Sequence, residues 1–245
     1  MAGAGGFPRR SLLVGGAALL VGGPAVLAGC NGQPELQQER REPGPDLSSE
    51  RDALVADLRS AGLAVDADEV EHADTTLHEL TTTYLAGWRI VEARRDREPW
   101  RAYLGWQPGV GAVHLTGNPA GFSEIFLDRS AGKPPALDEA LAVTIAQDFL
   151  DTTWHLRTLQ HRIASVTDIP WRENVGKGAR ADLSEQLEPL ITPPAATAAG
   201  EGFTVELHTI SHEVLVRHEV LIDFADGVRD QPLELADRLP VVVAE

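Results

Sequence analysis

The sequence predicts an α+β fold in which an antiparallel sheet packs against one long amphipathic helix. Apolar residues recur at helical spacing across residues 137–163, and residues 203–224 are rich in the β-branched residues that favour strands. Helices and hairpins do not alternate as βαβ units, which favours an antiparallel sheet over a parallel one. The hydrophobic fraction of 43% and the charged fraction of 24% are ordinary for a globular protein.

The first half of the body is predicted to contain one helix followed by strands. Residues 50–60 form the helix, Gly62 ends it, and Val65 begins an extended segment. Residues 74–97 fit either a helical stripe or an alternating strand, and three consecutive threonines with several aromatic residues favour the strand. Short strands are also expected at residues 100–106 and 122–127.

The second half begins with a loop at residues 130–136, which is a candidate subdomain boundary. The long helix at 137–163 follows, then a shorter helix at 181–188 and a flexible loop at 192–202. Residues 203–224 are too many for one ordinary strand, so a bend or turn is expected near Ser211-His212. A tight turn at Asp226-Gly227 and a last strand at 240–244 complete the pattern. Cystatin-like and nuclear-transport-factor-like folds have a similar arrangement of one sheet and one long helix.

The N-terminal segment combines a pair of arginines, an apolar run and a single cysteine. Arg9-Arg10 precedes an apolar run that ends in Leu27-Ala28-Gly29-Cys30, and Cys30 is the only cysteine among 245 residues. These features resemble a bacterial lipoprotein with a twin-arginine-like signal peptide. The resemblance implies removal of residues 1–29 and attachment of acyl chains such as palmitate to Cys30. An uncleaved anchor helix or a general secretory signal remains an alternative.

The polar, proline-containing residues 30–49 are predicted to be a disordered tether, and residues 50–245 are predicted to be the globular domain. Removal of residues 1–29 takes away Arg9 and Arg10 and no acidic residue. The remaining chain has 19 basic and 37 acidic residues, a formal net charge of −18. This charge disfavours nucleic acid as a partner. The expected partners are the membrane, through the lipid on Cys30, and an unknown small ligand or envelope protein; no cofactor is expected.

Two groups of residues are candidates for a binding site. Trp88, Trp100 and Trp106 would form a stacking platform for a sugar or another flat ligand if they shared one sheet face, although core packing is the more common role of such residues. His208, His212 and His218 would form a metal site if a turn brought them together. In one straight strand, His208 and His212 would stand ~13 Å apart, too far to share an ion.

The sequence contains no coherent catalytic set. Asp148, Asp151 and His155 lie on one flank of the long helix, where a polar face is the more ordinary explanation than a general base. The predicted function is therefore that of a lipid-anchored extracytoplasmic protein with a non-catalytic binding or accessory role. The alternative is a metal-dependent protein or hydrolytic enzyme that uses the histidine-rich β segment.

Overall fold

The structure is a computed structural model that describes residues 44–95, 100–130, 132–133, 135–155 and 160–242. These residues contain five α-helices and nine strands. The first half contains α1 (Arg51–Ser60), α2 (Ala64–Glu71), β1 (Thr75–Leu80), β2 (Arg89–Arg95), β3 (Trp100–Gln107), β4 (Gly111–His114) and α3 (Pro119–Leu127). The second half contains α4 (Glu139–Thr153), β5 (Gln160–Ile163), α5 (Lys177–Leu187), β6 (Ala195–Ala199), β7 (Gly202–Ser211), β8 (Val214–Asp223) and β9 (Gly227–Ala236).

The strands form two antiparallel sheets. The first sheet has the order β1-β2-β3-β4. The second has the order β5-β7-β8-β9, and β6 pairs with the same edge of β7 as β5 does. The predicted α+β class, with antiparallel strands packed against helices, is therefore confirmed. The strands are divided between two sheets. A cystatin-like or nuclear-transport-factor-like arrangement around one sheet does not describe this topology.

Three clusters of buried apolar residues hold the two sheets and the helices together. The first core lies between the first sheet and the α1–α2 pair. The central core joins the other face of the first sheet, helices α3 and α4, and one face of the second sheet. The third core covers the opposite face of the second sheet near α5 and the C-terminal segment. The first core contains, among others, Leu54, Leu58, Val70, Val91, Leu104 and Trp106.

The central core also decides whether the loop at 130–136 separates two subdomains. Residues from both sides of this loop, such as Phe122 and Phe149, contact each other in the central core, with ring centroids 5.3 Å apart. The described residues on both sides belong to one compact unit. The loop is therefore a connection within one domain.

Several predicted elements are confirmed. The helix at 50–60, the strand at 100–106 and the shorter helix at 181–188 correspond to α1, β3 and most of α5. The ambiguous segment 74–97 contains the strands β1 and β2. The long β segment at 203–224 is a hairpin whose turn contains His212 with a φ of 56°, as the expected turn near this residue requires.

Other predicted elements are wrong. The extended segment at Val65 is helix α2, the strand at 122–127 is helix α3, and the flexible loop at 192–202 contains strand β6. The helix expected over 137–163 ends at Thr153, and its last residues form β5, while residues 156–159 lie outside the described part. In place of a last strand, a single antiparallel bridge joins Val241 to Trp171; residues 243–245 are outside the described part.

The body also begins earlier than predicted. The composition predicts that residues 44–49 belong to the disordered tether, but Leu47 is 4% exposed and packs in the first core. Asp46 forms an antiparallel bridge with His78 of β1. Cys30 and residues 1–43 lie outside the described part. None of the helices in the described ranges combines the length and the apolar character that a membrane crossing requires.

Candidate functional site: a buried polar row across the second sheet

The three tryptophans do not form a common platform. Trp100 and Trp106 lie on the face of β3 that packs on α1 and α2, whereas Trp88 precedes β2 and belongs to the central core. The Trp106 side chain is 0% exposed, so neither ring face is open to a ligand. The stacking platform predicted from these residues is therefore wrong, because they are divided between two cores.

Two of these indoles instead hold acidic side chains in place. Trp106 Nε1 donates a hydrogen bond of 2.8 Å to Asp57 on α1. Trp88 Nε1 donates one of 2.7 Å to Asp128, which follows α3. The hydrogen bond from Trp88 holds the pKa of the Asp128 carboxyl below its usual value. The first hydrogen bond thus joins β3 to α1, and the second joins the segment before β2 to the end of α3.

The three histidines of the predicted metal site also lie apart. Cross-strand partners share a face of the sheet, and His208 pairs with Arg217 while His218 pairs with Leu207. His208 and His218 therefore project from opposite faces, and His212 lies in the turn between the strands. Among the described residues, no group of three or more histidine, cysteine or acidic side chains is arranged to hold a metal ion. The metal site predicted from His208, His212 and His218 is wrong.

His218 belongs instead to a row of four polar side chains, one each from β5, β7, β8 and β9 of the second sheet. Gln160 on β5 donates from its amide nitrogen to the Thr209 hydroxyl on β7 at 3.3 Å. The Thr209 hydroxyl lies 2.9 Å from His218 Nε2 on β8, and His218 Nδ1 lies 2.7 Å from the Asp230 carboxylate on β9. We call Gln160, Thr209, His218 and Asp230 the polar row.

Strand register brings the polar row together. Thr209 and His218 are diagonal neighbours on one face of the β7–β8 hairpin, because Leu207 pairs with His218. Asp230 pairs with Val220 and is the diagonal neighbour of His218. The same face carries Leu207 and Val220 into the central core. The polar row therefore continues a sheet face that is apolar at Leu207 and Val220, and its members hydrogen-bond to one another.

One placement of protons satisfies three of the contacts in the row. With the proton on Nδ1, His218 donates to Asp230, and Nε2 accepts from the Thr209 hydroxyl. The Thr209 oxygen then accepts from Gln160. A hydroxyl, an imidazole and a carboxylate joined in this order are the groups of nucleophilic catalysis. Here Thr209 is 0% exposed and His218 1% exposed, so no substrate reaches the hydroxyl in this conformation.

No protein-family model, no curated protein and no solved structure matches this chain.

His208 lies on the opposite face of the second sheet. Its Nδ1 is 3.3 Å from the backbone oxygen of Thr192, and its Nε2 is buried without a hydrogen-bond partner among the described residues. Burial lowers the pKa of His208, and it also lowers the pKa of His161 on β5. Both imidazoles therefore favour the neutral form.

His114 has the opposite environment at the end of β4. Its Nδ1 is 2.9 Å from the carboxylate of Asp66 on α2. The hydrogen bond to Asp66 raises the pKa of His114 above its usual value. The contact connects α2 to the far edge of the first sheet.

The acidic flank of α4 forms structural contacts. Asp148 is buried and accepts a hydrogen bond of 2.8 Å from the Tyr84 hydroxyl. Asp151 lies 3.5 Å from Arg162 on β5. These contacts fasten α4 to the loop before β2 and to the second sheet.

Of the polar row, only His218 is a candidate site residue predicted from the sequence; Thr209, Asp230 and Gln160 are not. The signal is present in the two turns that the sequence does predict, near Ser211-His212 and at Asp226-Gly227. Together these turns set the approximate register of three strands, and alternation then indicates which polar residues share a face. Alternation does not indicate the position of Gln160, because the apolar pattern predicts a helix for the segment that contains it.

The opposite pKa shifts predict an identifiable pH dependence of stability. The contribution of the His114–Asp66 pair, about 0.5–1 kcal/mol, is present below the unfolded histidine pKa of about 6.5 and is lost as pH rises through the raised folded value. The contributions of neutral His208 and His161 are present above about pH 6.5 and are lost as pH falls through their lowered folded values.

Urea unfolding at pH 5, 6.5 and 8 measures both effects. Each additional proton bound by the unfolded state changes the free energy of unfolding by about 1.4 kcal/mol per pH unit. His208→Gln is expected to reduce the loss of stability on the acidic side, and His114→Gln is expected to reduce the loss on the basic side. A His208→Gln protein with the wild-type slope below pH 6.5 would contradict the assignment.

Proposed function

We propose that this chain is a lipoprotein anchored through Cys30 at the extracytoplasmic face of a bacterial membrane, with a non-catalytic body that binds a small ligand or an envelope protein. The observation that carries the proposal is the box Leu27-Ala28-Gly29-Cys30 at the end of an apolar run. Small residues before a single cysteine in this position are typical of a cleaved and lipidated signal peptide.

The charge of the body supports a covalent lipid anchor over electrostatic attachment. A body with a formal net charge near −18 is repelled by anionic headgroups. Attachment to a membrane therefore requires buried acyl chains, and more than one chain on Cys30 gives stable anchoring.

The polar row supports a binding role over hydrolysis. The Thr209 hydroxyl and the His218 imidazole form hydrogen bonds to side chains on neighbouring strands, and both residues are buried. The order of hydroxyl, imidazole and carboxylate is the one observation that favours the hydrolytic alternative. Hydrolysis of a chromogenic ester by the purified body, abolished in Thr209→Val, would support that alternative against the binding role.

Replacement of Cys30 by serine tests the anchor. In cells fed an alkyne fatty acid, the wild-type chain is expected to carry the label and to sediment with membranes, whereas Cys30→Ser is expected to lose the label and leave the membrane fraction. Asn31→Ser introduces the same residue one position later and is expected to behave as wild type. Membrane retention of Cys30→Ser without the label would indicate an uncleaved anchor helix and would contradict the proposal.

A further inference from the structure

The outer edge of β6 is less protected than the other sheet edges in the described part of the chain. A sheet edge with unpaired backbone groups is a template for another strand, and most proteins cover or interrupt such edges. At the β1 edge of the first sheet, residues 44–47 provide the cover. Glu79 N donates a hydrogen bond of 2.9 Å to Pro45 O, and Leu47 N donates one of 3.0 Å to Leu77 O.

The remaining edges are short or interrupted. The edge strands β4 and β5 have only four residues each. On β9, the Ser123 hydroxyl accepts from Val228 N at 3.0 Å and donates to Val228 O at 2.6 Å, so Val228 directs both groups away from β8. Pro232 lies four residues further along the same strand, has the same orientation and lacks an N–H group.

The edge of β6 has none of these protective features. The strand consists of four alanines and one threonine, and all of them except Ala196 are exposed. Its ladder partner is β7, and no described residue forms a backbone hydrogen bond to β6 from the other side. We call the side of β6 that faces away from β7 the open edge.

The turn between β6 and β7 determines which backbone groups the open edge offers. Ala199 pairs with Gly202 across a two-residue turn in which Gly200 has a φ of 62°. The residues that flank such a turn exchange hydrogen bonds, and bonded and non-bonded positions alternate along an antiparallel pair. Every second residue of β6, counted back from Ala199, therefore bonds to β7. The other two, Ala196 and Ala198, direct their N–H and C=O groups outwards.

A second copy of β6 fits the open edge in antiparallel orientation. With a two-fold axis beside Thr197, Ala196 of each copy lies opposite Ala198 of the other, and each of these pairs exchanges both of its backbone hydrogen bonds. The two Thr197 residues meet in the non-hydrogen-bonded position between these pairs, where a threonine pair is favourable. The alanine and threonine side chains are small, so bulk does not oppose this pairing.

The distribution of charge is compatible with a second copy at this edge. The chain has a formal net charge of −16, so two copies repel each other over most of their surfaces. Residues 192–200 contain no charged residue, although charged residues make up 24% of the chain. Two copies therefore meet at the open edge without bringing like charges into contact.

The two-fold axis also brings the turn of each copy beside β5 of the other. On β7, Ile163 pairs with His208 and Thr197 pairs with Thr204, so Ile163 lies four positions before Thr197 along this edge. Glu201 lies four residues after Thr197. The symmetric pairing therefore places Glu201 of one copy opposite Ile163 of the other.

We propose that two copies of this chain associate through the open edge and join their second sheets into one continuous sheet. The pairing brings the exposed Glu201 of each copy close to Arg162 of the other, whose side chain is 35% exposed. Opposite charges thus meet at both ends of the uncharged strand pair. A five-residue strand on each side is small beside the roughly 20–30 residues per partner of a standard interface, so the association is weak and reversible.

Disulfide cross-linking in the whole chain tests the register. In the non-hydrogen-bonded position the two Cα atoms are about 4.5 Å apart, a distance that a disulfide spans. Thr197→Cys is therefore expected to form a disulfide-linked dimer under mild oxidation. Ala195→Cys alone is expected to give no such dimer, because its two copies stand about 14 Å apart. Co-expressed with Ala199→Cys, which lies opposite it in the pairing, Ala195→Cys is expected to cross-link.

The outcomes decide both the contact and its occupant. The unsubstituted chain, whose single cysteine is Cys30, gives the background of cross-linking. Thr197→Cys at this background, or equal yields of dimer from Thr197→Cys and Ala195→Cys, would overturn the proposal. Cross-linking of Thr197→Cys to a different protein in place of a second copy would also overturn it and would assign the open edge to that partner.

A proline at position 198 tests the contribution of the backbone. Ala198→Pro removes an outward N–H and no hydrogen bond to β7, so the thermal unfolding temperature is expected to be unchanged. In the Thr197→Cys chain, Ala198→Pro is expected to lower the yield of linked dimer at least about tenfold. Ala198→Ser keeps the N–H and is expected to preserve the yield. A proline variant that unfolds at the same temperature and cross-links equally well would contradict pairing through the open edge.

Discussion

Replacing Trp106 by alanine is expected to lower the free energy of unfolding by about 4 kcal/mol. The indole is 0% exposed in the first core, so its removal leaves a cavity between β3 and the α1–α2 pair. The substitution also removes the N–H that donates to Asp57, and the contact of the ring with the Arg89 guanidinium, which lies 4.5 Å from its centroid. Denaturant unfolding followed by far-UV circular dichroism measures the loss.

Trp100 provides the matched control, because it lies on the same face of the same strand. Its side chain is only partly buried at the margin of the first core, so Trp100→Ala is expected to cost about 1 kcal/mol. A third variant, Trp106→Phe, keeps most of the volume and removes the donor to Asp57, at an expected cost of about 1–2 kcal/mol. Equal losses in Trp106→Ala and Trp100→Ala would contradict the burial that distinguishes them.

The position of Trp106 illustrates what local patterns specify. Alternation predicts that Trp100 and Trp106 share a face of one strand, and they do. Alternation does not indicate which face another element covers, because that depends on α1 and α2 packing across the sheet. Composition likewise does not place Trp88 in a different core. The tryptophans were visible in the sequence, but their separation is a property of tertiary packing.

The sequence pattern predicts a strand where the structure has helix α3, although residues typical of a helix start precede it. Asn118 accepts a hydrogen bond of 3.0 Å from Gly121 N at the N-terminus, and Pro119 occupies the first turn. Phe122, Ile125 and Phe126 then fall on one helical face in the central core. The six residues 122–127 alone fit either period, and the capping residues just before them decide between the two.

At helix α4 the apolar residues keep helical spacing beyond the end of the helix. The pattern predicts a helix as far as Ile163, but α4 ends at Thr153. Thr152 and Thr153 donate hydrogen bonds of 2.7 Å and 2.6 Å to the carbonyl oxygens four residues earlier, in the last turn of α4. Beyond them, Ile163 is buried in the third core as part of β5, and its helical spacing from Phe149 is a coincidence. Periodicity does not reveal this end, because an apolar residue fits a helix stripe and a strand face equally well.

The histidines show how a correct turn led to a wrong site. The length of the β segment predicts a turn near Ser211-His212, and the metal site would form only if a turn brought the histidines together. The turn is present. The register of the hairpin pairs Leu207 with His218, so even-numbered residues of β7 face away from even-numbered residues of β8. The same register brings His218 to Thr209. A shift of one residue in the turn would have given the opposite result.

Removing either His218 or Asp230 is expected to cost about 3 kcal/mol, because each leaves the other as an unpaired polar group in a buried contact. His218→Ala also leaves the Thr209 hydroxyl without its acceptor and opens a cavity beside the central core. Asp230 is 17% exposed at its side chain, so water compensates part of the loss when His218 is removed. Chemical unfolding at pH 7.5 measures each single variant and the double variant.

The double variant separates an energetically coupled row from independent contacts. Once one partner is absent, removing the other no longer leaves an unpaired group. The sum of the losses of unfolding free energy in the two single variants is therefore expected to exceed the loss in His218→Ala/Asp230→Ala by about 1.5–2 kcal/mol. Two threonines of β7 extend the comparison: Thr209→Val is expected to cost about 1–2 kcal/mol, and the more exposed Thr204→Val less than about 0.5 kcal/mol. If the losses for His218 and Asp230 were additive, the contact between these two side chains would contribute no interaction free energy to stability. A coupled loss would establish that the polar row joins the strands of the second sheet through their side chains as well as through their backbones.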